Sequence, residues 1–376
     1  MGFFDHLRAK VAGRQPMYLH NTLSGATDRF ELPPGVKTVR MYNCGPTVYG
    51  VQHIGNLSMY VFTDILRRAL ERNGFSVKQV INITDVGHLQ SDADSGEDKM
   101  TLGLKREGLA LTLPNMRALA EKYAAIFFGD LQQLGIDISR IEFPRASDYI
   151  AAQIAMIQTL EEKGYAYRAS DGMYFDVSRF PRYGALGTIN LTGLREGARV
   201  EASSGKKGPL DFALWKFDPD LGWESPWGKG FPGWHIECSA MIRAILGRQI
   251  DIHTGGIEHI PVHHNNEIAQ SECATGKRPL SRFWLHRAHI QIEGGKIAKS
   301  QGTVIYLSDI IAKGFDPLAL RYLFLTAHYR TNSNFSWEAL GAAQHALDRL
   351  RALRVSLSES VGAVSAPWKN AFLKRV

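Results

Sequence analysis

Residues 39–83 set the tightest limit on what this chain can fold into. Val39 and Met41 alternate with Arg40 and Tyr42 and stop at Gly45-Pro46, a strand and its exit turn. Val61, Ile65, Leu66, Ala69 and Leu70 then recur at helical spacing and end near Asn73-Gly74. Residues 77–83 form a second β-branched run. Strand, helix and strand in so short a span read as a βαβ unit, and a βαβ unit requires a parallel sheet. At about 150 residues per domain, the 376-residue chain has room for two to three domains.

Composition excludes several classes. Apolar residues make up 44% and charged residues 22%, an ordinary globular balance that argues against disorder, collagen or a coiled coil. The 36 glycines exceed the usual share of about 7% and point to tight turns and close backbone approach to a ligand. Three cysteines in a chain this long exclude a disulfide scaffold and suggest a reducing compartment. The best apolar stretch, 149–160, is interrupted by Gln153 and Gln158 and is too short to span a bilayer. Residues 1–14 are amphipathic and basic and read as a short surface helix. They lack the core and cleavage site of a signal peptide, and His6 breaks the myristoylation pattern. A cytoplasmic protein with no membrane partner is expected.

The net charge of +7, from 44 basic and 37 acidic residues, is compatible with a polyanionic partner, although most such charges simply face water. Residues 340–376 concentrate it: Arg349, Arg351, Arg354, Lys369, Lys374 and Arg375 against Asp348 and Glu359. A nucleic-acid contact and a solvated helix face explain that tail about equally well.

Further along, 167–183 holds short aromatic and β-branched segments broken by Gly172 and Pro181, and 195–204 is polar and glycine-bearing. This reads as an inserted module. From Gly233 regularity returns, with a helical stretch 237–246, a strand 250–253 and then Gly255-Gly256, where α/β sheets bind ligands. After Phe315 the chain reads as helical. Leu340, Ala343, Leu347, Leu350 and Leu357 form one apolar stripe expected to bury, and only 368–376 follow as a further segment, so a bundle begins that this chain does not complete.

Three constellations bear chemistry. In His53-Ile54-Gly55-Asn56, between the first strand and its helix, glycine lets backbone approach a phosphate, and imidazole and amide can donate to phosphoryl oxygens. A satisfied loop histidine is the bland reading. Lys296-Ile297-Ala298-Lys299-Ser300, flanked by Gly294, Gly295 and Gly302, suits a mobile arm over a triphosphate, or equally a basic surface loop. Cys44, Cys238, His263 and Glu267 offer thiolate, imidazole and carboxylate ligands, with His263 and Glu267 on one helical face. His235 and His264 compete for the ligand role or support it, Cys273 reads as a core residue, and a buried cysteine pair with a capping histidine remains open.

The ordered set Cys44-Gly45-Pro46-Thr47-Val48-Tyr49, His53 to Asn56, Asn82-Ile83-Thr84-Asp85, Gly233-Trp234-His235-Ile236-Glu237-Cys238, His263-His264-Asn265-Asn266-Glu267 and the two-lysine loop resembles cysteinyl-tRNA synthetases over about residues 18–350. The resemblance implies an α/β fold: a Rossmann-type parallel sheet split by a connective-peptide insertion, then a stem-contact region and the start of an α-helical bundle. The division it suggests is an N-terminal extension (1–16), catalytic halves (17–132 and 229–290), an insertion (133–228), a stem-contact region (291–338) and a bundle start (339–376). It implies one Zn²⁺ on Cys44, Cys238, His263 and Glu267, with an open position for the substrate sulfur that a serine hydroxyl would fill poorly, making editing unnecessary. ATP would meet His53, Gly55, Asn56, Gly255, Gly256, Glu258, Lys296 and Lys299, with Mg²⁺ alongside; His53, Asn56, Lys296 and Lys299 would be catalytic. Thr84 and Trp234 would line the cysteine pocket. The partners implied are ATP, L-cysteine and tRNA-Cys, and the chain is expected to be a monomer.

Two departures stand out. Family members carry Lys-Met-Ser-Lys-Ser where this chain has Ala298; one lost hydrogen bond of about 1 kcal/mol predicts activation slowed severalfold and not abolished. The chain also stops at Val376, where relatives continue. A fragment, a naturally short synthetase and a cysteine ligase of the mycothiol-pathway type, passing cysteine to a small amine, are the three explanations. The segment from Cys44 to Tyr49 and the acidic loop at 91–99 favour the first two. A non-catalytic tRNA-binding paralogue is the reading from another class, and the retained ligand set and lysines argue against it.

Overall fold

The computed structural model describes residues 15–85, 99–187, 205–292, 295–296 and 304–358. A hairpin of β1 (Met17–Asn21) and β2 (Ala26–Phe30) comes first, then β3 (Thr38–Asn43), α1 (Ile54–Arg72) and β4 (Ser76–Ile81). Helices α2 (Lys99–Glu107) and α3 (Leu113–Gln133) lead to the short strand β5 (Ile141–Glu142). Helix α4 (Ile150–Glu162) precedes β6 (Ala166–Arg168), β7 (Gly172–Phe175), β8 (Phe212–Phe217) and β9 (Gly230–Pro232). The pattern then returns to helix and strand: α5 (Trp234–Ile245), β10 (Ile250–Gly256), α6 (His263–Thr275) and β11 (Ser281–Arg287). Last come β12 (Ile290–Ile292), β13 (Gly295–Lys296), α7 (Leu307–Ala312), α8 (Pro317–Leu325), β14 (Ser333–Phe335) and α9 (Trp337–Ser358).

The expected parallel sheet is present, ordered β11-β10-β3-β4-β5, with every neighbouring pair parallel. Met41 on β3 sits opposite Gln79 on one side and Ile252 on the other. The first half of the chain builds outward from β3 in one direction and the second half in the other. The carboxyl ends of β3 and β10 therefore lie side by side where the order reverses, the place where open α/β sheets bind ligands. Residues 166–232 contribute a separate antiparallel sheet, β6-β7-β8-β9, around Phe175, Phe212 and Trp215.

Local chemistry explains several boundaries. Helix α1 starts seven residues before its apolar stripe because His53 caps it, its Nδ1 accepting from the Asn56 N–H at 3.2 Å. Gly55 and Asn56 thus lie inside the first helical turn, not in a loop before it. Gly255 and Gly256 are the last residues of β10 and not a turn after it. Within α1, buried Asp64 accepts from Arg67 (2.6 Å), Arg68 (2.8 Å) and Arg321 (2.6 Å), the last on α8, so one carboxylate ties α8 to the helix behind the sheet's switch point.

The stripe on α9 corrects an expectation. Leu340 and Ala343 are buried, but Leu350 and Leu357 are 51% and 52% exposed, so the apolar stripe is buried in its first turns, where α9 packs on α8, while Arg351 pairs with Asp316 at the start of α8 at 2.6 Å. The segments 195–204 and 368–376 lie outside the described residues, as does all of the acidic loop except Lys99. Among the described residues no helix is long and apolar enough to cross a membrane.

Candidate metal centre and nucleotide cleft

A cavity of about 430 Å³ opens at the carboxyl ends of β3 and β10. Its wall includes Cys44, His53, Gly55, Asn56, Trp234, Gly256 and Glu258, drawn from three separate stretches of sequence. Gly45 must be glycine at this point: a Cβ would stand 1.5 Å from the carbonyl oxygen of Asn82, whose side chain in turn accepts from the Gly45 N–H at 2.8 Å. The end of β3 is thereby laid against the end of β4, and Cys44 is aimed beside α6.

Cys44, Cys238, His263 and Glu267, far apart in sequence, meet there. Their ligand atoms all lie within 4.8 Å of one another, and all four are buried. A second set with the same property shares Cys44 and Glu267 and adds His253 and His264. Ligands about 2.0–2.3 Å from a tetrahedral ion stand about 3.3–3.8 Å apart, so either set needs only a small contraction to close on one. His263 Nε2 lies 2.8 Å from Glu267 Oε1, and His253 Nε2 lies 2.9 Å from Glu267 Oε2.

The charges fit a cation. Burial raises the Glu267 carboxyl, but His253 and His263 outweigh it and hold the group well below the usual carboxylate range. Hydrogen bonding with Cys44 pushes Cys238 down to about 6 against its burial, while burial and Cys238 push Cys44 well up: the pair shares one proton, held on Cys44. Burial disfavours a charged His263, yet Glu267 and Cys238 raise it to about 10. Without metal, then, a thiolate and a carboxylate gather around an imidazolium, and a divalent ion would displace both that proton and the one on Cys44.

Supporting residues orient the ligands. His235 Nδ1 is 2.9 Å from His263 Nδ1. His264 Nε2 is 3.2 Å from Cys44 Sγ, and its Nδ1 is 2.8 Å from His286 Nε2, whose other nitrogen meets Thr22 Oγ1 at 2.8 Å. Of the two rivals named from sequence, His264 stands at the thiol and His235 behind His263. Cys273 is buried apart from both sets.

The other expected residues divide. Asn56 lines the cleft while its side chain donates to Gln52 Oε1 at 2.6 Å. Glu258 borders it with His289 Nδ1 at 3.7 Å. Gly256 lines it, whereas Gly255 gives room to imidazoles, since a Cβ there would stand 2.6 Å from both His259 and His264. Trp234 tilts over His263 with ring centroids 4.6 Å apart. Thr84 is buried, donating to Glu237 Oε2 at 3.0 Å, and is not part of the cavity wall. Lys296 lies on β13, paired with Gln291; Lys299, Ala298 and Gly294 lie outside the described residues.

Sequence reading passed over His253, His286, Arg287 and Lys99. Lys99 Nζ sits 5.1 Å from the centroid of the Trp234 ring. Histidines inside the buried strands β10 and β11 were the available signal, since a strand enclosed on both faces has little reason to carry imidazole.

Comparison with known proteins identifies the family. A family model for the class I (C) tRNA synthetase catalytic domain matches residues 32–345. Cysteine--tRNA ligase 1 of Burkholderia lata is 48% identical over 363 residues, covering 95% of this chain and 75% of that protein. The Cysteine--tRNA ligase of Treponema denticola is 48% identical over 332 residues, 87% of this chain and 66% of its own length. The corresponding Zymomonas mobilis ligase is 43% identical, covering 96% of this chain and 70% of that one. In fold, the chain resembles a Mycobacterium tuberculosis methionyl-tRNA synthetase in complex with methionyl-adenylate, with a TM-score of 0.62 at 15% identity over 82% of this chain and 68% of that one. With its parallel sheet, its metal-ligand cluster and these relatives, the chain belongs to the cysteine--tRNA ligase family of class I tRNA synthetases.

Proposed function

We propose that the chain activates L-cysteine with ATP to cysteinyl-adenylate and passes the cysteinyl group to the 3′ end of tRNA-Cys. The observation that carries this reading is the convergence of Cys44, Cys238, His263 and Glu267 in one buried cluster, whose Cys44 lines the cleft that His53 and Asn56 also line. The donor set of two sulfurs, one imidazole and one carboxylate suits Zn²⁺ better than Mg²⁺ or Ca²⁺, which prefer oxygen. Zinc held there supplies an open Lewis-acid position that favours a thiolate over a hydroxyl and so selects cysteine over serine.

The protein's own part is to position and to stabilise charge. Trp234 packs against His263 and forms the wall beside the thiol, and Thr84 holds Glu237 behind it. His53 spends Nδ1 on the helix cap, which fixes the ring and turns its other nitrogen toward donation to phosphate. The first N–H groups of α1, around Gly55 and Asn56, add a field that favours anions. Glu258 offers a carboxylate to ribose hydroxyls, with Gly256 beside it. The carboxylate of cysteine attacks the ATP α-phosphorus, pyrophosphate leaves, and the tRNA hydroxyl then takes the acyl group; no protein nucleophile is required. Lys296 and Lys299 carry the pyrophosphate charge in this scheme, with Mg²⁺.

The reading includes the division into catalytic halves, insertion, stem-contact region and bundle start given above, and a cytoplasmic monomer. Cysteine-dependent exchange of pyrophosphate into ATP tests activation, and no exchange sinks it. Charging tRNA-Cys and a panel of amino sugars side by side with labelled cysteine tests the acceptor, and transfer to sugar alone overturns the tRNA assignment. Lys299→Ala should abolish exchange, whereas a non-catalytic tRNA binder would keep its nucleic-acid affinity.

A further inference from the structure

We propose that Arg287 is a nucleotide-binding residue of this cleft, an assignment that rests on the ATP-dependent reading above. Arg287 ends β11, the strand beside β10, and borders the cavity shared by His53, Asn56 and Glu258. It is only 6% exposed. Its Nε donates to Ser58 Oγ in α1 at 2.8 Å, and its guanidinium carbon lies 5.8 Å from the centroid of the Phe324 ring.

Among the described residues, Arg287 has no acid beside it. The other buried arginine of this region, Arg67, is met by Asp64 at 2.6 Å and by Glu71 at 3.2 Å, and Arg321 by Asp64 at 2.6 Å. Among the described residues no carboxylate stands within 4.0 Å of Arg287. Burial alone lowers its pKa to about 10. A desolvated cation without a counter-charge is costly, and a fold that supplies carboxylates to its neighbours supplies this one a hydroxyl, an aromatic ring and a face on the cleft. The partner it is built to meet comes with the substrate. ATP is rich in acceptors, and a guanidinium fork matches phosphate oxygens and paired acceptors better than an ammonium does.

The test is calorimetric titration of ATP into the full chain and into Arg287→Met, with melting curves of each in the presence and absence of ATP. The expected result is ATP affinity about 10- to 100-fold weaker in Arg287→Met. The nucleotide-free variant should melt no lower than the parent, because an uncompensated buried charge has been removed. Arg287→Lys should recover part of the affinity and serves if the methionine variant does not fold. ATP affinity within twofold of the parent in both variants, or a variant that melts lower yet binds ATP normally, overturns the assignment. A parent chain that fails to bind ATP sinks the activation reading itself, so the two failures are separable.

Discussion

Asp130 carries a cost that can be removed. It lies on α3, only 7% exposed, and its Oδ2 has no hydrogen-bond partner. Burial alone pushes its carboxyl from the ordinary 3.8 up to about 6. Because the folded value is the higher one, the folded state binds the proton more tightly than the unfolded chain does. Stability from this group is fully present below pH 3.8 and is lost as pH rises through about 6. At about 1.4 kcal/mol per unit, the ionised carboxylate costs about 3 kcal/mol at pH 7.5. Asp130→Asn keeps the shape and removes the charge. Urea unfolding should therefore show the variant more stable by about 3 kcal/mol at pH 7.5, by about half that near pH 5, and by almost nothing below pH 4. A variant equal to or weaker than the parent at pH 7.5, or a gain that does not shrink on acidification, refutes the reasoning.

Three further outcomes are expected. Glu267→Gln removes the carboxylate shared by His253 and His263, and competition with a chromogenic chelator should show zinc held at least about 100-fold more weakly, given that even supporting residues of a metal site cost 10–100-fold; unchanged metal retention contradicts the ligand assignment. Gly45→Ala forces a Cβ against the Asn82 carbonyl, and overpacking of about 1–3 kcal/mol or more should appear as a lower melting temperature together with reduced bound zinc. Asp64→Ala strips the carboxylate from three arginines, one of them buried, and should cost about 3–5 kcal/mol in urea unfolding; a loss under 1 kcal/mol would mean that Glu71 and solvent suffice.

Much of the fold was legible because its signals are local. The alternation at Val39 and Met41 and the helical spacing from Val61 to Leu70 each depend on which face is buried, and β3 and α1 formed where those patterns lay. The start of α1 was less legible, since its cap is an imidazole, an unusual residue in that role. The α9 stripe misled for the opposite reason: periodicity declares an apolar face but not how much of it is buried, and Leu350 and Leu357 are about half exposed. At the site, the members of the ligand tetrad stood out because thiols and a His-x-x-x-Glu pair are scarce in this chain. His253, His286 and Arg287 were passed over because β10 and β11 show no alternation to say which face a side chain takes, although imidazole in strands enclosed on both faces was itself a signal.

As the proposed ligands of one ion, the tetrad would also set an order of events during synthesis. Cys44 emerges from the ribosome early, yet Glu267 follows 223 residues later. At roughly 5–20 residues per second, more than ten seconds separate the first ligand from the last. The earlier half of the sheet can collapse in that interval, but the metal cannot be captured until the chain has passed through the antiparallel insertion and returned to α6. Metal uptake would therefore report that β3 and β10, the two strands that meet where the sheet order reverses, have both been made and joined. On that assignment, a chain interrupted anywhere before residue 267 would lack the carboxylate that completes the ligand set.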